Sequence, residues 1–274
     1  MILCMKRLFV ASACFYFIFT FPFLSCLHFF TPTPAQAADF EFTGKIDARD
    51  ATSRLLAHYA ERFTPEELYL LVDEPPDETG NFRDIYMDLT GVLIGGVRVD
   101  KLTFKMVDAR FNAPSEWEAG SVECLDALQV YALCVLREDD VNQRLATEAF
   151  GGNDNWRNIS MKISPAGFYA KGNYVTDILF FSLNILIEVE SDLKIVANQE
   201  LWLDRYKFRV NRLDVPDYIT RKAIDQIQPL LDLGRVPLPL KLHNVEFQDG
   251  QVVLSTRVLP EPAPGGFSYH YRKE

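Results

Sequence analysis

The chain is short of the side chains that most often carry chemistry. It has five cysteines and four histidines in 274 residues, and only Cys124 and Cys134 lie beyond residue 37. No Gly-x-Ser-x-Gly elbow, phosphate-cradling glycine loop, His-Glu-x-x-His helix or Cys-x-x-Cys pair occurs, so the common sequence warrants for hydrolase, nucleotide, zinc or redox chemistry are missing. His58, His243 and His270 lack metal-ligand spacing, and no metal or cofactor is expected. Positive charge is also scarce: the net charge is −10, or −12 once Lys6 and Arg7 leave with a leader. No basic stripe is evident, which argues against nucleic acid or a broad anionic membrane surface as the main partner. A Pro/Gly/Ser-rich linker is absent from the body, and residues 38–259 are read as one elongated domain.

What is present begins with an export-type leader. Lys6-Arg7, an apolar run from Leu8, a Pro22 break and Ala35-Gln36-Ala37 follow the order of a secretory signal, with cleavage expected before Ala38. Residues 8–30 are apolar enough to cross a bilayer if uncleaved, and lipid attachment at Cys26 is a further alternative. An exported protein of the periplasm or envelope is expected. In that oxidising setting Cys124 and Cys134, which flank an apolar segment and can meet across a hairpin or irregular turn, are read as a disulfide; two free buried thiols are the alternative.

Along the body, Ala48–Phe63 carries a helical apolar stripe of Leu55, Tyr59 and Phe63. Thr64-Pro65-Glu66-Glu67 suggests a further cap, leaving Leu68–Val72 open between helix and strand. Residues 84–107 alternate as strands, with a phase slip between Val99 and Leu102 that suggests a bulge or a sharp bend and Gly95-Gly96 supplying another bend. A second helix is expected over Arg137–Ala149. A hairpin spans Trp156–Val175, and 178–213 reads as long antiparallel strands with one wet and one apolar face. A third helix covers Asp217–Gln228, Asp249-Gly250 turns a final hairpin, and 260–274 is expected to be loose. Glu188, Glu190 and Asp192 share a strand face read as solvated, a cation site being the lesser alternative. Trp202 and Tyr206 are candidates for a cavity mouth, or else for a polar face or edge.

The join Val135–Leu145, with its acidic turn and Asn142, the turn and strand Gly167–Gly172, and the ending Pro237–Leu254 resemble the LmeA-type phospholipid-binding family. The likeness covers about residues 46–258. It implies an α+β fold in which a strongly curved antiparallel sheet wraps amphipathic helices, as in tubular lipid-binding domains. It also implies binding, and possibly transfer or sequestration, of phospholipid or another acyl lipid in the bacterial envelope, with transient membrane contact. No catalytic residue is carried over. The expected cavity wall is the apolar side of two helices: Leu55, Tyr59, Phe63, Ile219, Ile224 and Ile227. The main alternative is a structural or scaffolding envelope protein that binds a protein partner; a hydrolase comes third.

Overall fold

A computed structural model describes residues 38–94, 97–117, 121–147, 155–178, 181–225, 228–233 and 239–274. The leader, Gly95-Gly96 and Ile227 lie outside the described residues. Two sheets make up the body. In the first, β1 (Ala38–Thr43), β14 (Phe267–Arg272), β2 (Glu67–Val72), β3 (Asn81–Ile94), β4 (Val97–Phe111), β5 (Cys124–Arg137), β13 (Gln251–Thr256) and β12 (Leu242–Gln248) lie side by side in that order. Neighbours are antiparallel except β1 and β14.

Helix α1 (Ala51–Phe63) packs on β2, β3 and β14. It starts later than the apolar stripe suggested because Asp50 and Ser53 form a reciprocal capping box: the Asp50 carboxylate accepts from the Ser53 N–H at 2.9 Å, and Ser53 Oγ accepts from the Asp50 N–H at 3.1 Å. Thr64, at φ 44°, ends it. Leu68, Leu70 and Val72 are fully enclosed, so β2 satisfies a two-residue period and no second helix forms there. Leu55, Leu56, Ile85 and Leu89 complete this core with no exposed surface.

The phase slip is visible in burial, since Val99 and Leu102 are both 5% exposed. Of the two expected causes, a bulge is excluded. Pairing between β3 and β4 runs in one register through Thr90–Lys101 and Val92–Val99, and Gly91, at φ +66°, lies between those pairs. A left-handed glycine turns the next side chain to the core without an added residue.

Two expectations fail outright. The 260–274 segment is not loose: β14 is inserted between β1 and β2, where Tyr269 is 2% exposed and stacks on Phe40 at 4.7 Å. Nor do Cys124 and Cys134 form a disulfide; both are free. They stand on the single strand β5 rather than on two hairpin arms. Ten residues of strand separate them by roughly 33 Å, against the ~7 Å limit between bridged Cα atoms.

The second sheet contains β6 (Trp156–Ser164), β7 (Gly167–Ile178), β8 (Phe181–Val196), β9 (Glu200–Val210) and β10 (Leu213–Asp214) in the order β10-β9-β8-β7-β6, with β11 (Leu231–Asp232) also paired to β9. Helix α2 (Glu138–Thr147) packs on β6 and on β4 and β5, so it bridges the sheets. The β12–β13 turn adds to the join: the Gly250 N–H donates to the Ile163 carbonyl at 3.1 Å. Helix α3 (Asp217–Ile224) packs on β9 and is shorter than the stripe through Ile227 suggested.

Candidate functional site

Pairing between strands fixes which side chains of the second sheet share a face. One row joins Trp156, Tyr174 and Ile185; the next joins Gly172, Ile187, Val210 and Leu213; a third joins Met161, Ala170, Val189 and Phe208. Leu183, opposite Thr176, extends the face upward. These rows are apolar, and apart from buried Gly172 they are half-buried or exposed, Leu183 to 42% and Leu213 to 74%. In the first sheet Leu68, Leu70, Ile85, Leu89 and Val92 are fully enclosed, while Leu93, Ile94, Leu125 and Leu128 stand exposed on its strands.

Two bulges keep this face continuous where the sequence parity breaks. In β9 the apolar residues change from Leu201 and Leu203 to Phe208 and Val210, and the register with β8 shifts between Glu190 and Asp192, with Arg205 at φ +48°. In β6 the register with β7 shifts between Arg157 and Ser160, with Asn158 at φ +53°. Each bulge has one strand supply an extra residue, which returns the following apolar residues to the shared face. Trp156 and Ile159 close over Gly172, where an added Cβ would come within 3.3 Å and 3.2 Å of them, and Trp156 meets Tyr174 edge-on at 5.3 Å. The exposed rows span about 20 Å along the strands and about 19 Å across them.

The opposite face is charged. Lys171, Glu188 and Arg209 form one row. Glu188 is not solvated as expected; it is 8% exposed and accepts from the Tyr169 hydroxyl at 2.5 Å. That bond raises the Tyr169 pKa above its ordinary value, because losing the phenol proton would set an anion beside the carboxylate. Glu190 pairs with Arg209, and Asp192 with Arg205. Trp202 lies opposite Lys194 and donates to Glu200 at 2.7 Å, which places it on this polar side. Among the described residues no His/Cys/Asp/Glu group is arranged to hold a metal ion.

The family model for LmeA-like phospholipid-binding proteins matches residues 78–257. The chain belongs to this family. No curated protein and no solved structure matches it.

In this LmeA-like protein the matched stretch takes in the whole second sheet and leaves α1, β1, β2 and β14 outside. The expected cavity residues are divided accordingly. Leu55 is fully enclosed in the first-sheet core, and Tyr59 and Phe63 pack half-buried against the same cluster. Ile224, 5% exposed, and Ile219, 45% exposed, stand on α3 beside β9. The sequence marks Ile185, Ile187, Val189, Phe208 and Val210 only as the dry side of strands. The usable signal is their alternation over so many residues, more apolar surface than the short helix α3 that follows them can cover.

Proposed function

We propose that the chain binds phospholipid by laying acyl chains along the half-buried apolar rows of β6 to β10. The observation that carries this reading is the continuity of that face: two bulges preserve it, yet it stays partly open to solvent, in a member of a phospholipid-binding family. Its length suits the cargo. One leaflet contributes about 15 Å of the ~30 Å hydrocarbon core, which is within the roughly 20 Å run of the rows. Bulges also bend strands, and a curled sheet encloses a chain on more sides than a flat one.

Each sheltered methylene contributes about 0.8 kcal/mol, so eight supply roughly 6 kcal/mol before ordering and association costs. Bulk contact holds the tail, and no catalytic step is assigned. With a leader-directed export, the role is binding, and transfer or sequestration, of phospholipid in the bacterial envelope. Organic extraction of protein purified without detergent, followed by lipid mass spectrometry, tests the reading. Phospholipid should be recovered from wild type and depleted from Ile187→Glu that retains its circular-dichroism spectrum. Lipid-free wild type that also fails to bind added fluorescent phospholipid would overturn it.

A further inference from the structure

At the β10 edge the apolar rows run into a patch of different character. Leu213 pairs directly with Val210, which pairs with Ile187, so Leu213 continues a lipid-facing row to the end of the sheet. It is 74% exposed; Tyr218, at 75%, and Ile219, at 45%, follow on α3. Exposed cations surround them: Arg212 in the turn before β10, and Arg221 and Lys222 on the helix. Tyr218, Arg221, Lys222 and Asp225 recur at three- and four-residue spacing and line a surface groove of about 440 Å³.

The charge is local. Residues 205–222 contain six Arg or Lys against two Asp, in a chain whose net charge is −10. The expectation of no basic stripe fails here, though three of the six are engaged on the charged sheet face: Arg205 with Asp192, Lys207 with Asp214 and Arg209 with Glu190. Arg212, Arg221 and Lys222 make no ion pair with a described residue and are turned to solvent beside the exposed aliphatic and aromatic groups. Against these three cations stand the exposed Asp217 and Asp225, so a small local excess of positive charge borders the Tyr ring and aliphatic side chains, a mixture that suits the boundary between hydrocarbon and anionic headgroups.

We infer that the β10 edge and the outer face of α3 dock on an anionic bilayer surface, placing the end of the apolar rows where an acyl chain leaves the membrane. This rests on the proposed lipid-binding face and adds its loading edge. Leu213, Tyr218 and Ile219 enter the interfacial zone, while Arg212, Arg221 and Lys222 hold acidic headgroups. The overall negative charge keeps the rest of the molecule off the membrane and so sets its orientation.

The test compares partition into vesicles of phosphatidylcholine alone with partition into vesicles containing phosphatidylglycerol. It uses wild type, Arg221→Glu/Lys222→Glu, and Tyr218→Ser as a milder second variant, all carrying the same N-terminus. In parallel, each protein is titrated with a short-chain fluorescent phospholipid below its critical micelle concentration. Wild type should prefer the anionic vesicles at low salt and lose that preference at 1 M salt, where the Debye length is about 3 Å. The charge reversal should lower the anionic-to-neutral partition ratio about tenfold or more. Equal partition of wild type into both vesicle types, or an undiminished ratio in the folded double variant, would overturn the docking surface. Loss of soluble-lipid binding in wild type with the vesicle preference intact would count against the lipid-binding face and leave the docking surface standing.

Discussion

The Asn142 side chain is joined to both backbone polar groups of Met161: it accepts from the N–H at 2.7 Å and donates to the carbonyl at 2.8 Å. Glu138, one turn earlier on α2, accepts from the Ile163 N–H at 2.6 Å, and Gly250 donates to the Ile163 carbonyl. Strand β6 is the last in its sheet, and its outer edge would otherwise offer unpaired groups to another chain. The residues that carried the family resemblance at the β5–α2 join therefore close an edge.

Asn142→Ala should consequently destabilise the protein by about 2 kcal/mol, two backbone hydrogen bonds being lost at roughly 1 kcal/mol each. Asn142→Asp should not restore the loss, since its carboxylate faces the Met161 carbonyl. Urea unfolding midpoints at neutral pH give the comparison. Size-exclusion chromatography should also show the Ala variant more prone to associate.

Legibility followed the range over which a structure is decided. The Asp249-Gly250 hairpin, the one-sided alternation of 183–189 and the existence of the first helix, though not its start after Asp50, are local in origin and legible from neighbouring residues. The β14 strand could not, because Phe267–Arg272 follows Pro264-Gly265-Gly266 and gains its partners about 200 residues away, in β1 and β2. The bulges at Asn158 and Arg205 were hidden because only the opposing strand shows which residue is extra. For the site, amphipathic helices drew the expectation, yet the apolar side of α1 is consumed in closing its own sheet.

Arg98 makes two bonds to the Glu66 carboxylate, both 2.8 Å, and also reaches Asp140 at 3.1 Å and Asp100 at 3.3 Å. The hydrogen bonds from Arg98 hold the Glu66 carboxyl below the usual carboxylate range. A folded-state pKa that is lowered stabilises the fold above the unfolded value, near 4.3, and that contribution disappears as pH falls through the folded value. The stability advantage of wild type over Arg98→Met should therefore be larger at pH 6 than at pH 3. An advantage that grew on acidification would contradict this linkage.

The two thiols should behave as separate, slow nucleophiles. Burial pushes both Cys124 and Cys134 up to about 11, so little thiolate exists at pH 8. Iodoacetamide should label the native protein slowly and modify both cysteines promptly in urea without reductant. Mass spectrometry counts the adducts.

Removal of residues 266–274 should be far more damaging than trimming a loose tail. It takes out β14, unpairs β1 and leaves β2 with an open edge; it also deletes Tyr269 from the core. Loss of one buried aromatic alone costs about 3–5 kcal/mol, and the strand's hydrogen bonds go with it. The truncated chain should fail to give a cooperative thermal transition by circular dichroism. A truncation with an unchanged melting temperature would refute the insertion.

The apolar rows offer the most direct numerical check on lipid binding. Ile187 sits between Gly172 and Val210, near the middle of the exposed face, and Val189 occupies the next row between Ala170 and Phe208. Because both are half-buried in the free protein, truncating them removes ligand contact while sacrificing less of the closed core than an enclosed residue would. Ile187→Ala deletes three carbons, of which about half the surface faces the ligand, so a loss of about 1 kcal/mol in binding follows from roughly 0.8 kcal/mol per methylene. That is about a fivefold weaker Kd, and Ile187→Ala/Val189→Ala should approach tenfold to twentyfold if the two act independently. Leu55→Ala is the control of opposite kind: a fully enclosed residue whose loss should cost about 2–5 kcal/mol of stability while leaving the affinity of the remaining folded protein close to wild type. Fluorescent phospholipid titrations paired with urea unfolding separate the two effects. If Leu55→Ala weakened binding more than Ile187→Ala at equal folded fraction, the ligand would lie under α1 in the first sheet and not on the rows of the second.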